Sequence, residues 1–183
     1  MLSITRYVRP IAAVAAAVLT FAASPAQASD PAEQEPTVIA SFEGRSIRLA
    51  DGWGEARACT SDGQVARCYR SEAEMDAAED GLPSAQDADL APLVDCGLPA
   101  LRLYRGGSWG GGVLQLTVRY TVIDLAPYGF DNDTSSYRVG ACSSRFYDTN
   151  SGGTLYPGNT TAGASSASMS SGWDNRVSSV YIT

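Results

Sequence analysis

The chain has 183 residues, a formal charge of −7 and no histidine. The acidic balance argues against nucleic acid or an anionic membrane as partner. The missing histidine removes Ser-His and Cys-His nucleophiles, histidine-ligated zinc and histidine acid–base chemistry.

Residues 1–28 read as a secretory signal. Arg6 and Arg9 form the positive start, Ile11 to Ala23 is a short apolar run, and Ala26-Gln27-Ala28 is a cleavage site. Its removal takes two further positive charges from the chain and leaves about 155 residues, enough for one domain or two small ones. No later stretch is apolar enough to span a bilayer. Residues 29–36 are polar and rich in Pro and Glu, a flexible leader.

Residues 37–96 form an N-terminal extension. Val38 to Phe42 and Ser46 to Leu49 read as short strands. Cys59, Cys68, Cys96 and Cys142 are an even set in an exported chain, which points to disulfides, with three pairings open. The segment Ala58 to Cys68 reads as a hairpin with a two-residue Gly63-Gln64 turn, and that register sets Cys59 opposite Cys68. Cys59–Cys68 is therefore the favoured pair and Cys96–Cys142 follows by elimination. A four-thiol zinc site is the rival, but the C-x-x-C spacing is absent. Ser71 to Glu74 is a capping box, so a short helix runs from Glu72 to about Glu79, stopped by Asp80-Gly81 and Pro83. Its acidic face reads as solvated. From Ser84 to Pro92 the chain lacks periodicity and reads as a linker.

From Leu98 onward glycine, serine, tyrosine and β-branched residues dominate. Leu101 to Tyr104 is a strand, and Val113 to Tyr120 alternates for eight residues with one apolar face. Ser135–Val139, Arg145–Tyr147 and Ser178–Ile182 complete the set. Helix is expected here only as a single turn before each Gly-aromatic pair. Gly158 to Ser171, almost all Ser, Thr, Ala and Gly, reads as a long surface loop.

One stretch occurs twice at an offset of 43 residues. Gly129-Phe130-Asp131-Asn132-Asp133-Thr134-Ser135-Ser136 returns as Gly172-Trp173-Asp174-Asn175-Arg176-Val177-Ser178-Ser179, and Tyr104 returns as Tyr147. The polar groups shared by both copies are oxygen donors suited to a hard cation. The pattern Asp/Asn, Asp/Asn, two free positions, Ser/Thr, Ser fits both copies. Tyr104, Trp109 and Gly111 add the pattern aromatic, four residues, aromatic, one residue, Gly. On these motifs residues 97–183 resemble a microbial calcium-binding βγ-crystallin domain, with motif one at about 98–140 and motif two at about 141–183. Ser151-Gly152-Gly153 stands where the second hairpin should carry its aromatic, so that hairpin is expected to be shorter or looser.

The resemblance implies a mainly all-β fold, an antiparallel sandwich of two Greek-key motifs, with the disulfide-tied extension and its helix attached. It also implies two calcium ions, each held by both motifs. The first would take the Asp131 carboxylate, the Asp133 and Arg105 carbonyls and the Ser178 hydroxyl. The second would take Asp174, the Arg176 and Asp148 carbonyls and the Ser135 hydroxyl. Arginine in place of either serine would block a site. Asp133 adds a carboxylate near the first ion and Arg176 a cation near the second, so the first site is expected to be tighter. Phe130, Trp173, Tyr104 and Tyr147 are expected to pack between the sheets.

The implied role is a secreted, calcium-stabilised structural or interaction module. Two rivals share the fold type: an inhibitor of an extracellular metalloprotease, and an antimicrobial or toxin directed at a cell surface. An enzyme without histidine would rely on paired carboxylates. Asp124, Asp131 and Asp133 are neighbours in sequence, but no spacing marks a cleft, and the chain reads as a non-enzyme.

Overall fold

Short β-branched and aromatic runs punctuated by glycine give twelve strands in the computed structural model, which describes residues 37–80 and 101–183. The expected signal, leader and linker, and Cys96, lie outside the described residues. In chain order the elements are β1 (Ile39–Phe42), β2 (Arg45–Arg48), β3 (Ala58–Ser61), β4 (Ala66–Tyr69), the helix α1 (Glu72–Asp80), β5 (Leu101–Tyr104), β6 (Val113–Leu116), β7 (Val122–Asp124), β8 (Ser136–Val139), β9 (Ser144–Thr149), β10 (Gly152–Leu155), β11 (Ser165–Ser166) and β12 (Ser179–Ile182).

The strands form two sheets. One has eight strands in the order β11-β8-β5-β6-β3-β4-β1-β2, the other four in the order β10-β9-β12-β7. Each motif therefore keeps three of its strands together and lends its third to the opposite sheet. Motif one lends β7 to β12, and motif two lends β11 to β8. This exchange is the two-Greek-key arrangement. Leu101, Leu103, Leu114 and Leu116 from the larger sheet meet Phe146, Val180 and Ile182 from the smaller in one core. Phe130 and Trp173 are buried in the same core, and burial of one such ring stabilises a fold by about 2–3 kcal/mol.

The extension continues the larger sheet. β3 lies parallel to β6, so the outer edge of motif one is covered by four further strands. β1 and β2 close through Glu43 and Gly44, both at positive φ, as a two-residue hairpin turn requires. β3 and β4 pair in the expected register, Cys59 faces Cys68, and the two are bonded. The loop is Gly63-Gln64, and the Asp62 carboxylate accepts the amides of Gln64 and Val65 at 2.8 and 2.7 Å. Cys142 is also disulfide-bonded.

The helix starts as predicted, with the Glu74 amide donating to Ser71 Oγ at 3.1 Å. Glu74 reaches back one residue further than the simplest capping box, to the Arg70 amide. Its acidic face is not a solvated one. Glu72 accepts from Arg102 and from the Tyr104 hydroxyl, both at 2.7 Å, Asp76 accepts from Arg102, and Glu79 accepts from Gln115. Arg102 and Gln115 are buried polar residues on the outer face of the larger sheet. The helix carboxylates supply the partners that such groups need. Met75 fills the space between with Ala58, Tyr104 and Val113.

This second covering explains two further differences. Every residue of β6 is buried, since Val113 and Gln115 face the helix while Leu114 and Leu116 face the other sheet. The expected eight-residue strand ends at Leu116. Thr117 bonds back to the Ser61 carbonyl, and Tyr120, at φ 61°, turns the chain to the Ile182 carbonyl on the smaller sheet. Tyr104 is buried against the helix rather than between the sheets, and Tyr147 is only partly buried. A single helical turn, Ala126–Tyr128, does precede Gly129. In the loop 158–171, β11 adds an edge strand and Met169 is buried.

Candidate metal centre

Each repeated stretch begins where a turn ends and a buried aromatic anchors it, Phe130 in the first and Trp173 in the second. Both following asparagines stand in the left-handed region, Asn132 at φ 53° and Asn175 at φ 54°. Asparagine tolerates that conformation better than most residues. It turns the backbone amide outward toward the other motif. Asn132 N–H donates to the Val177 carbonyl and Asn175 N–H to the Thr134 carbonyl, each at 3.0 Å. The two loops thus hold each other by one reciprocal pair of bonds.

The serines cross in the same way. Ser178 Oγ donates to Asn132 Oδ1 and Ser135 Oγ to Asn175 Oδ1, each at 3.3 Å. Their own backbone is fixed by the first strand of each motif. Ser135 N–H donates to the Tyr104 carbonyl and Ser178 N–H to the Tyr147 carbonyl, both at 2.8 Å. The next serines fasten the hairpins. Ser136 Oγ donates to the Gly106 carbonyl at 2.6 Å and accepts the Trp109 amide. Ser179 Oγ donates to the Thr149 carbonyl at 2.7 Å and accepts the Gly152 amide. Gly152 occupies the place of Trp109 and makes the same backbone bond without a ring. The second hairpin is shorter, as expected, with Thr149 paired directly to Gly152.

Four of the charged candidates form two matching pairs. The Arg105 guanidinium faces the Asp133 carboxylate. Arg176 Nη2 lies 2.8 Å from Asp148 Oδ2. Arg105 corresponds to Asp148 and Asp133 to Arg176 under the 43-residue offset, so the second pair is the first with its charges exchanged. Desolvation pushes the Asp148 carboxyl up, but the Thr154 amide and the Arg176 guanidinium outweigh it and hold it below the usual carboxylate range. Burial pushes the Arg105 guanidinium below the usual arginine value. The two loops therefore carry the same charge inventory, two aspartates and one arginine each.

The remaining two candidates, Asp131 and Asp174, are exposed at the heads of the loops, and Asp131 Oδ2 accepts from Asn132 Nδ2 at 3.0 Å. Among the described residues no three Asp, Glu, Cys or His side chains gather at one point. An ion here would be held by one carboxylate per loop, with carbonyl and hydroxyl oxygens for the rest, a donor set that suits calcium rather than zinc or copper. Asp124 has a different task. Its carboxylate accepts the Ser151 amide at 2.5 Å and closes the second hairpin.

Sequence reasoning placed the serines but missed the asparagine side chains that meet them, although both asparagines stand in the repeat. It also missed Trp53, whose ring stacks on Arg105 at 4.6 Å. A lone tryptophan in the extension carried no signal for that contact.

No family model matches the chain, and no curated protein matches it. Among solved structures it is similar to a βγ-crystallin from Ciona intestinalis, at 24% identity and TM-score 0.38, over 45% of this chain and 98% of that one. It is similar to a βγ-crystallin domain from Flavobacterium johnsoniae at 18% identity and TM-score 0.38, over 46% and 93% of the two chains. A clostrillin double mutant in complex with nickel matches at 16% identity and TM-score 0.37, over 45% and 95%. The exchange of β7 and β11 between the motifs makes residues 101–183 a two-Greek-key fold.

Proposed function

We propose that the chain is a secreted, non-enzymatic calcium-binding module whose two ions stabilise the paired Greek keys. The observation that carries this reading is the crossed contact of Ser178 with Asn132 and of Ser135 with Asn175. Each loop receives a neutral hydroxyl from the other motif. In the first site Asp131 supplies the carboxylate, Asp133 and Arg105 supply carbonyls, and Ser178 supplies the hydroxyl. In the second, Asp174, Arg176, Asp148 and Ser135 take the same parts. Waters complete six to eight oxygens, and bound calcium neutralises the facing carboxylates and ties the loops together.

Affinities fall at roughly 10⁻⁶ to 10⁻⁴ M. Export rests on residues 1–28 with their apolar run and cleavage site. Calcium calorimetry on the mature protein, paired with melting curves in calcium and in chelator, tests the reading. Two ions per chain and a higher melting temperature in calcium are expected. At free calcium about 100-fold above Kd, one site adds about 2.7 kcal/mol. No heat and no thermal shift would overturn the assignment.

A further inference from the structure

The two loops match in charge but not in support. In the second, Arg176 stacks on Trp173 of its own motif, 5.1 Å from the ring centroid, and its side chain is 50% exposed. In the first, the Arg105 guanidinium packs against two rings that touch each other, 4.6 Å from Trp53 and 4.6 Å from Phe130, and is 30% exposed. Trp53 belongs to the extension, and its Nε1 donates to the Tyr128 carbonyl at 2.8 Å. Arg105 in turn donates to the Gly129 carbonyl at 2.8 Å while it faces Asp133. Trp53, Arg105 and the entry to the first loop thus form one bonded unit. The second loop has no contact of this kind with the extension among the described residues.

From this asymmetry we infer that Trp53 is a positioning residue for the first ion loop, so that the extension sets the affinity of one loop and leaves the other alone. The inference rests on the calcium reading above. Arg105 is proposed to give its own carbonyl to the first ion, and Asp133 gives another. A guanidinium packed on two rings fixes both residues before the ion arrives. Ligands fixed in advance bind more tightly, because ordering them no longer opposes binding. Loss of the stack leaves every donor atom present and frees the backbone that carries two of them.

The test uses the full mature chain in two backgrounds, Ser135→Arg, which leaves the first site, and Ser178→Arg, which leaves the second. Calcium is titrated by calorimetry with and without Trp53→Leu. In the first background Trp53→Leu is expected to weaken binding about tenfold, which is the ratio for roughly 1.4 kcal/mol of ordering. In the second background Kd is expected to stay within about twofold, and Trp53→Phe, which restores a ring, is expected to recover most of the loss. Equal shifts in both backgrounds, or no shift in the first, would overturn the inference. Should Trp53→Leu lack a cooperative melt, Trp53→Met carries the same comparison, since it keeps more side-chain bulk against Arg105 and leaves the Arg105–Asp133 pair in place. Failure of the parent chain to bind calcium is a separate result, which overturns the proposed function instead.

Discussion

Gly129 and Gly172 occupy the same place in the two repeats and both have a left-handed backbone, at φ 62° and 78°. An alanine at either position pays the strain of that conformation, about 1–2 kcal/mol. Their surroundings differ. A Cβ on Gly129 would lie 2.2 Å from the Leu49 carbonyl oxygen, in the buried turn by which the extension meets motif one. A Cβ on Gly172 would meet nothing within 4 Å. The Gly129 clash adds an overpacking cost of about 1–3 kcal/mol. Gly172→Ala should therefore lose about 1–2 kcal/mol and Gly129→Ala about 2–5 kcal/mol. Urea unfolding followed by circular dichroism separates them, provided the slope with denaturant is unchanged. In a unit of this size each 1 kcal/mol moves the melting point by about 2–4 °C. Equal losses at the two glycines would refute the packing described between Leu49 and the first repeat.

Four further outcomes follow from the same geometry. Arg102→Ala leaves the buried Gln115 Oε1 without its donor and frees Glu72 and Asp76, so it should cost about 2–4 kcal/mol in urea unfolding, with some of the loss offset because both carboxylates can rehydrate. Ser135→Arg and Ser178→Arg should each remove one of two calcium ions by calorimetry, with the apo melting point little changed. Replacing Cys59 and Cys68 by alanine opens a bridge between residues nine apart and should lower stability by roughly 2–3 kcal/mol by denaturant titration. Asp62 is held below the usual carboxylate range, first by the Val65 amide and then by that of Gln64. Its contribution is complete above the unfolded carboxyl value of about 3.9 and is lost as pH falls through the lower folded value. Asp62→Asn should flatten the acid limb of a stability–pH curve.

The repeat, its Ser and Asn positions and the Cys59–Cys68 register were legible in the sequence because each is set locally, by a turn residue or by a fixed count along a hairpin. The larger sheet was not. Nothing in Ala58 to Ser61 announces a parallel partner at Val113 to Leu116, since parallel pairing leaves no mark in either strand alone. The acidic face of α1 reads as solvated until Arg102 and Gln115 are found beneath it. Alternation in Val113 to Tyr120 was real, yet it could not report that a helix would cover the polar side. At the candidate site, the pairing of Arg105 with Asp133 and of Asp148 with Arg176 escaped notice for a simple reason. The offset joins positions of opposite charge, and a search for like residues passes over them.

The lent strands also determine how the chain must fold. In a solenoid each sequence repeat is a folding step, because it touches only its neighbours. Here β12 lies between β9 and β7, and Val122 is paired with Tyr181, so the smaller sheet cannot close within either repeat. The larger sheet waits in the same way for Ser165 to reach Arg138. The unit that repeats in the sequence is therefore not a unit of cooperativity. Either half alone would present an unfilled sheet, and the whole folds in one step set by its most distant pairings, at the slower end of the range for a chain of this length.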